Sequence, residues 1–266
     1  MPAGEFDDIV SNMLFTLAAF FSPFYYFVLS IFLGLRPAIQ LLQANHSSHK
    51  FAIKVKYAEQ PIVVRGKTSD VSVFYEIFAL RLYHIPKQEV KSIIDLGANV
   101  GYASIYFAHF FPNARIIALE PEGSNYRALL ENTHAYQNIS CVNAPIWPEE
   151  VDLLLQNPEG SKWGFQYGEA PKVIGQPIIR AQTLPGLIKK FGLGRINLLK
   201  IDIEGAEQLL FTADTEWLRQ VDCLQIEMHS EEARESVFNA LLGYTYSYDR
   251  VFNHYHITLN NLPALC

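Results

Sequence analysis

The apolar run Ile93-Ile94-Asp95-Leu96 breaks into Gly97-Ala98-Asn99-Val100-Gly101, and a segment of helical composition follows. Strand, glycine turn and helix start together are the nucleotide-binding arrangement of doubly wound α/β sheets. The chain keeps that alternation to its end. Apolar strands are expected over residues 91–96, 115–119, 139–143, 196–202 and 221–227, with helices over 102–111, 123–136, 184–191, 206–211 and 231–242. A final strand pair is expected over 244–248 and 255–259, and residues 145–182 read as irregular with short strands in VDLLLQ and QPIIRAQ. This βαβ order predicts an α/β, Rossmann-like fold: a mostly parallel sheet with helices on both faces. A length of 266 residues allows one such domain plus a short extra element. The expected division is a hydrophobic segment over 1–45, a strand and helix extension over 46–90, and a cofactor-binding domain over 91–266.

The turn itself narrows the ligand. Asn99 stands where a dinucleotide fold places the glycine that lets backbone approach a pyrophosphate. S-adenosyl-L-methionine carries no phosphate, so that requirement lapses. Asp95, at the strand end, suits a ligand with a positive amino group. Glu120, in Leu119-Glu120-Pro121 at the end of the next strand, is spaced to accept both ribose hydroxyls. The expected cofactor contacts are Asp95, Gly97, Ala98, Asn99, Gly101, Glu120, Pro121, Asn143 and Asp202. For Asn143, after the third strand, an Asx turn is an equal reading.

A second cluster follows residues 196–202. Lys200 and Asp202 share a strand face, and Glu204-Gly205-Ala206-Glu207 comes next. A lysine inside a buried strand needs a carboxylate partner, and Asp202 or Glu204 is at hand. Asp202 falls at the carboxyl end of a central strand, where ligands of open α/β sheets bind. The following strand ends Ile226-Glu227-Met228-His229, which brings a further acid and a candidate general base to the same rim. Asp202, His229 and Glu204 are the candidate catalytic residues, with Glu207 and Glu227 ordering substrate hydroxyls or Lys200. No metal ligand is assigned.

On these residues the chain resembles the FkbM family of methyltransferases. The likeness rests on IDLGANVG at 94–101, LEP at 119–121, LKIDIEGAE at 199–207 and IEMH at 226–229, with support from 65–70, and covers roughly residues 60–260. The resemblance implies a seven-stranded methyltransferase sheet with an antiparallel last strand. It also implies methyl transfer to oxygen, often a hydroxyl of a sugar or a secondary metabolite. Two features depart from the family. Pro185-Gly186 stand where many members carry acids, and the apolar amino-terminal run is no part of the shared domain.

That run, residues 9–35, holds no charged residue and exceeds the ~20 apolar residues needed to cross a bilayer. It follows Glu5, Asp7 and Asp8 rather than the basic stretch of a signal peptide. Membrane attachment is expected, by a span or by a re-entrant hairpin broken at Ser22-Pro23, with the catalytic domain on the cytoplasmic side because Arg36, Lys50 and Lys54 follow the run. A hydrophobic hairpin packed on protein is the other reading. The net charge of −6 gives no footprint for nucleic acid. Cys141, Cys223 and Cys266 are too few and too far apart for a disulfide framework or a zinc site, and read as reduced thiols. The acceptor is expected to be a small molecule or glycan, with Trp147, Trp163, Phe165 and Tyr167 available to stack on it. Three other readings remain: a binding protein that has lost catalysis, an NAD-dependent oxidoreductase, and a metal-dependent O-methyltransferase using the carboxylates between Asp202 and His229.

Overall fold

The computed structural model describes residues 33–83, 89–155, 167–169 and 178–261. Helix α1 (Leu35–His46) leads into the antiparallel hairpin of β1 (Lys50–Ile53) and β2 (Ile62–Arg65). Helix α2 (Asp70–Tyr75) then widens into a π-helical turn over Glu76–Leu80. Five units follow: β3 (Ser92–Leu96), α3 (Tyr102–Phe110), β4 (Arg115–Leu119), α4 (Gly123–Thr133) and β5 (Ile139–Val142). Strands β6 (Asp152–Leu155), β7 (Tyr167–Glu169) and β8 (Ile178–Arg180) form a small antiparallel sheet. The chain continues through α5 (Leu184–Phe191), β9 (Leu198–Ile201), α6 (Glu207–Thr212), β10 (Cys223–Glu227), α7 (Glu231–Ala240), β11 (Thr245–Val251) and β12 (His254–Asn261).

The central sheet has seven strands in the order β11-β12-β10-β9-β3-β4-β5. Strands β3, β4, β5, β9 and β10 run parallel, and β12 pairs antiparallel with both β10 and β11. From β3 the chain first builds outward through β4 and β5, then returns to the other side of β3 with β9. The carboxyl ends of β3 and β9 therefore flank the topological switch point, where open α/β sheets bind ligands. All five residues of β3 are buried, as a strand covered on both faces requires. Ile93 packs toward α3 and the amino-terminal hairpin, and Ile94 and Leu96 pack toward the opposite core. Asp95 shares the face of Ile93 because side chains alternate along a strand.

The amino-terminal boundary differs from the expected one. Helix α1 reaches past residue 45 and packs on the domain that follows it. Ala38, Leu41 and Ala44, three residues apart, are buried on one face of α1 and join the core shared with the hairpin, α2 and α3. Lys67 and Gly66 donate backbone hydrogen bonds to Ala44 and His49, which ties the end of α1 to the hairpin. The proposed membrane-attaching run lies outside the described residues except for 33–35. No helix among the described residues is long and apolar enough to cross a membrane. Cys141 and Cys223 are free thiols, and Cys266 lies outside the described residues.

Candidate active site

A cleft of about 290 Å³ opens at the carboxyl ends of β3, β4, β9 and β10. That volume is at the lower end of the range for small-molecule sites. One wall is the glycine turn and the end of β4: Gly97, Ala98, Asn99, Glu120 and Pro121. Gly97 has φ 74° and packs so tightly on the next strand that a Cβ there would lie 1.7 Å from the Asp202 carbonyl oxygen. Only glycine meets both demands. Gly101 starts α3 at φ 90°, behind the cleft rather than on its wall.

Glu120 is 5% exposed, and each of its oxygens has a backbone donor. Oε2 accepts from Asn99 N at 2.9 Å and Oε1 from Glu122 N at 2.8 Å. Burial pushes its carboxyl up to about 7, against these two backbone hydrogen bonds. Each carboxylate oxygen has a second lone pair to offer across the cleft. Asn125 also lines this wall, and its Oδ1 receives Arg65 Nη2 at 2.8 Å. Arg65 in turn holds the buried Asp70 through two side-chain bonds, Nη2 to Oδ1 at 2.7 Å and Nε to Oδ2 at 2.9 Å. The hairpin and α2 are thus clamped to the start of α4, beside the end of β4.

Besides Gly101, two expected contacts move off the wall. Asn143 donates through Nδ2 to the backbone oxygens of Glu120 and Pro121, at 2.8 and 3.0 Å. It holds the loop that presents Glu120, while Ala144, Pro145, Ile146 and Trp147 line the cleft. Asp95 is fully buried beneath the turn and takes Ser104 Oγ at 2.6 Å. It pairs across the sheet with Lys200, Oδ1 to Nζ at 3.2 Å, because Asp95 and Lys200 are register partners on the same face. The expected contact from Asp95 to a ligand amino group is replaced by this ion pair.

Lys200 Nζ also donates to the carbonyl of Gly97 at 2.6 Å and lies 3.4 Å from Asp202. Burial opposes its charge, but Asp95, Tyr83 and Asp202 outweigh that and hold the ammonium well above its usual range. One side chain therefore joins the glycine turn to the acid cluster.

The second wall is acidic. Asp202, Glu204 and Glu227 line the cleft, and so does Glu76 from the π-helical turn. Asp202 leaves β9 as the chain turns at Glu204 and Gly205, with φ 55° and 94°. A left-handed conformation is uncommon outside glycine and persists only where its surroundings impose it. Here Glu207, 0% exposed, accepts from Ile203 N at 3.2 Å and Gly205 N at 3.0 Å, and so fixes the turn. Burial, reinforced by neighbouring acids, pushes Glu204 and Glu76 up to about 8 and Glu227 to about 7.

His229 is not placed as a proton acceptor. Its Nδ1 pairs with Glu207 Oε1 at 3.0 Å, and its Nε2 faces Glu204, Glu227 and Asp202 at 3.4, 3.7 and 3.9 Å. Burial works against its charge, but Glu207 and then Asp202 outweigh that and raise it to about 10. Asp202, Glu227 and His229 bring potential metal-ligand atoms within 4.8 Å of one another.

Glu76 was missed at sequence level, where 71–83 reads as an amphipathic helix. The available signal was an isolated acid within the otherwise uncharged stretch VSVFYEIFAL. Glu76 opens the π-helical turn and lines the cleft with Val73 and Ile77, a spacing of one helical face. His254, which also edges the cleft, carried no local signal. Trp147 is the one aromatic of the expected stacking set with a described side chain, and it lines the cleft.

Comparison with known proteins agrees with this arrangement. The chain matches the FkbM methyltransferase domain over residues 95–253. It is 26% identical over 219 residues to methyltransferase sdnD of Sordaria araneosa, covering 67% of this chain and 83% of the relative. It is 24% identical over 177 residues to methyltransferase 1 of Beauveria bassiana, covering 58% and 71%. Among solved structures, the FkbM methyltransferase of Methylobacillus flagellatus aligns with a TM-score of 0.48 at 12% identity, over 84% of this chain and 59% of that one. The glycine turn, the LEP acid and the LKIDIEGAE cluster fall inside the matched span, and the chain belongs to the FkbM methyltransferase family.

Proposed function

We propose that this chain is an S-adenosyl-L-methionine-dependent O-methyltransferase acting on a hydroxyl of a sugar, glycolipid or secondary metabolite. The observation that carries the reading is the division of one cleft. A neutral turn with a presented carboxylate, Glu120, forms one wall, and an acidic rim, Asp202, Glu204, Glu227 and Glu76, forms the other. The first wall fits a nucleoside without phosphates: Glu120 offers lone pairs to ribose hydroxyls, and Lys200, the basic side chain at the turn, is engaged by Asp95 and the Gly97 carbonyl. When bound there, the cofactor supplies an electrophilic methyl group on a sulfonium. The chain's part is to hold the acceptor oxygen in line with it and to receive the acceptor's proton.

We assign the proton to Glu204 and orientation to Asp202. Both line the cleft, and Glu204 is presented by the strained turn, whereas both ring nitrogens of His229 point at acids. The acidic rim favours acceptors rich in hydroxyl donors and disfavours anionic ones. The deciding experiment supplies labelled S-adenosyl-L-methionine with a panel of glycosides, polyols and amines. Labelling of oxygen in a hydroxyl compound supports the proposal, and labelling confined to amines overturns the assignment of acceptor class. On sequence grounds we also propose membrane attachment through residues 9–35, supported by the uncharged run and the basic residues after it. The full-length chain should then sediment with membranes after detergent-free lysis, and recovery in the supernatant would refute attachment.

A further inference from the structure

An acid-free stretch surrounds the amino-terminal helix of this acidic chain. Between Asp8 and Glu59 there is no Asp or Glu, and the charges are Arg36, Lys50, Lys54 and Lys56, against a net charge of −6 for the whole. Such a sign asymmetry marks a surface that meets something anionic.

Helix α1 is apolar beyond the face it buries. Ala38, Leu41 and Ala44 pack into the core, yet Leu35, Ile39 and Leu42 are 70, 46 and 38% exposed. Spacings of four and three put these three side chains on one stripe. A surface helix that meets only water carries polar residues there. The stripe starts at the last residue of the uncharged run 9–35, so the two apolar features are continuous along the chain.

A second feature lies where that run enters the domain. Leu33, Lys54, Val55, Lys56 and Tyr57 line a hollow of about 190 Å³. Lys56 Nζ stands 4.7 Å and the Arg81 guanidinium 5.3 Å from the centroid of the Tyr57 ring, with the exposed ring of Phe110 at 6.0 Å. Lys50 is taken by Glu131, but Arg36, Lys54, Lys56 and Arg81 are exposed and pair with no acid among the described residues. Aromatic rings flanked by Lys and Arg beside an apolar segment are the side chains that settle at the headgroup level of a bilayer. Anionic lipid adds attraction for each basic residue held near its surface.

We propose that α1 and the hollow at residues 54–57 form an interfacial surface that rests on an anionic membrane. Leu35, Ile39 and Leu42 would enter the headgroup boundary, and Arg36, Lys54, Lys56 and Arg81 would meet lipid phosphates. The surface deepens the membrane attachment proposed above, on which it rests, by naming the lipid class and a contact made by the folded domain itself. Two other occupants fit less well. A second copy in a two-fold contact would bring its own basic cluster, and residues 9–32 bring no acid, so neither matches four unpaired cations.

The test sediments full-length protein with vesicles of phosphatidylcholine alone or of equimolar phosphatidylcholine and phosphatidylserine. Binding to the anionic vesicles should be about tenfold tighter and should weaken as salt is added. The double variant Lys54→Glu, Lys56→Glu should lose that preference and keep the parent's binding to phosphatidylcholine. Ile39→Asp should weaken binding to anionic vesicles severalfold. None of these residues lines the cleft, so S-adenosylhomocysteine affinity and the urea midpoint, both measured without vesicles, should match the parent. Parent and variants that bind both vesicles equally would overturn the interfacial surface and leave attachment through residues 9–35 standing. Salt-sensitive binding to anionic vesicles only, lost in the double variant, would support the surface and refute insertion of residues 9–35. A parent that binds neither vesicle overturns both. An Ile39→Asp variant with a lowered midpoint and unchanged vesicle binding would give the stripe to protein packing, and overturns the surface.

Discussion

The two walls of the cleft are built in opposite ways. On the turn wall the carboxylates are matched: Glu120 by two backbone donors, and Asp95 beneath it by Ser104 and Lys200. On the acidic wall Asp202, Glu204 and Glu227 crowd around His229, Glu76 adds a fourth acid beside them, and three of the four are pushed far above the carboxylate range. A matched wall is rigid and preorganised for a ligand that does not vary. A wall with surplus acids is destabilised, and such surplus is typical of sites whose partner arrives from outside.

If Lys200 is the hinge between the walls, removing it should be the most damaging change. Lys200→Met leaves Asp95 buried without its counter-charge, a loss of about 3–5 kcal/mol for one partner of a buried pair. Urea unfolding should show a much lower midpoint. An unchanged midpoint would mean that Asp95 and Lys200 are not coupled.

The acidic wall should matter to turnover and not to cofactor. Glu204→Gln should lower labelled methyl transfer by roughly 10²–10⁴-fold, the range for a general base. Transfer at the parent rate would move the proton acceptor elsewhere, with Glu76 next in line.

Support residues of the turn wall should show smaller effects. Asn143→Ala removes two hydrogen bonds to the Glu120 loop, each worth about 0.5–1.5 kcal/mol. S-adenosylhomocysteine should bind severalfold more weakly, with the unfolding midpoint lowered to match. Affinity raised or unchanged would return Asn143 to a simple turn residue.

The acidic wall also predicts a pH slope. The raised acids bind more protons folded than unfolded between about 4.5 and 8, so their contribution to stability falls as pH rises through that window. His229 acts in the same direction: its contribution is complete below 6.5 and is lost as pH climbs through about 10. The melting temperature should therefore drop from pH 5.5 to 8.5, and Glu204→Gln should flatten the drop. A rise over that range would contradict the surplus of acids.

What the sequence made legible follows from distance along the chain. The β3 turn, the acid ending β4 and the acids after β9 are each written in fewer than ten residues, and the structure places Gly97, Ala98, Asn99, Glu120, Pro121, Asp202 and Glu204 around one cleft. What was hidden depends on contacts made far along the chain or on what a helix face packs against. The pairing of Asp95 with Lys200 joins strands about a hundred residues apart. Glu76 lines the cleft beside Val73 and Ile77, on one helical face, but only the tertiary structure shows that this face meets the cleft. Helix α1 continues directly from the hydrophobic run in the sequence, and only tertiary packing discloses that Ala38, Leu41 and Ala44 belong to the core of the following domain.

Calorimetry of S-adenosylhomocysteine on two variants tests the division of the cleft most directly. Glu120→Ala removes charge-assisted bonds worth on the order of 1.5–3 kcal/mol, or about ten- to a hundredfold in affinity. Asp202→Asn, on the other wall, should bind within threefold of the parent. Equal and large losses in both, or a loss in Asp202→Asn alone, would contradict the account that one wall holds the cofactor and the other serves the acceptor.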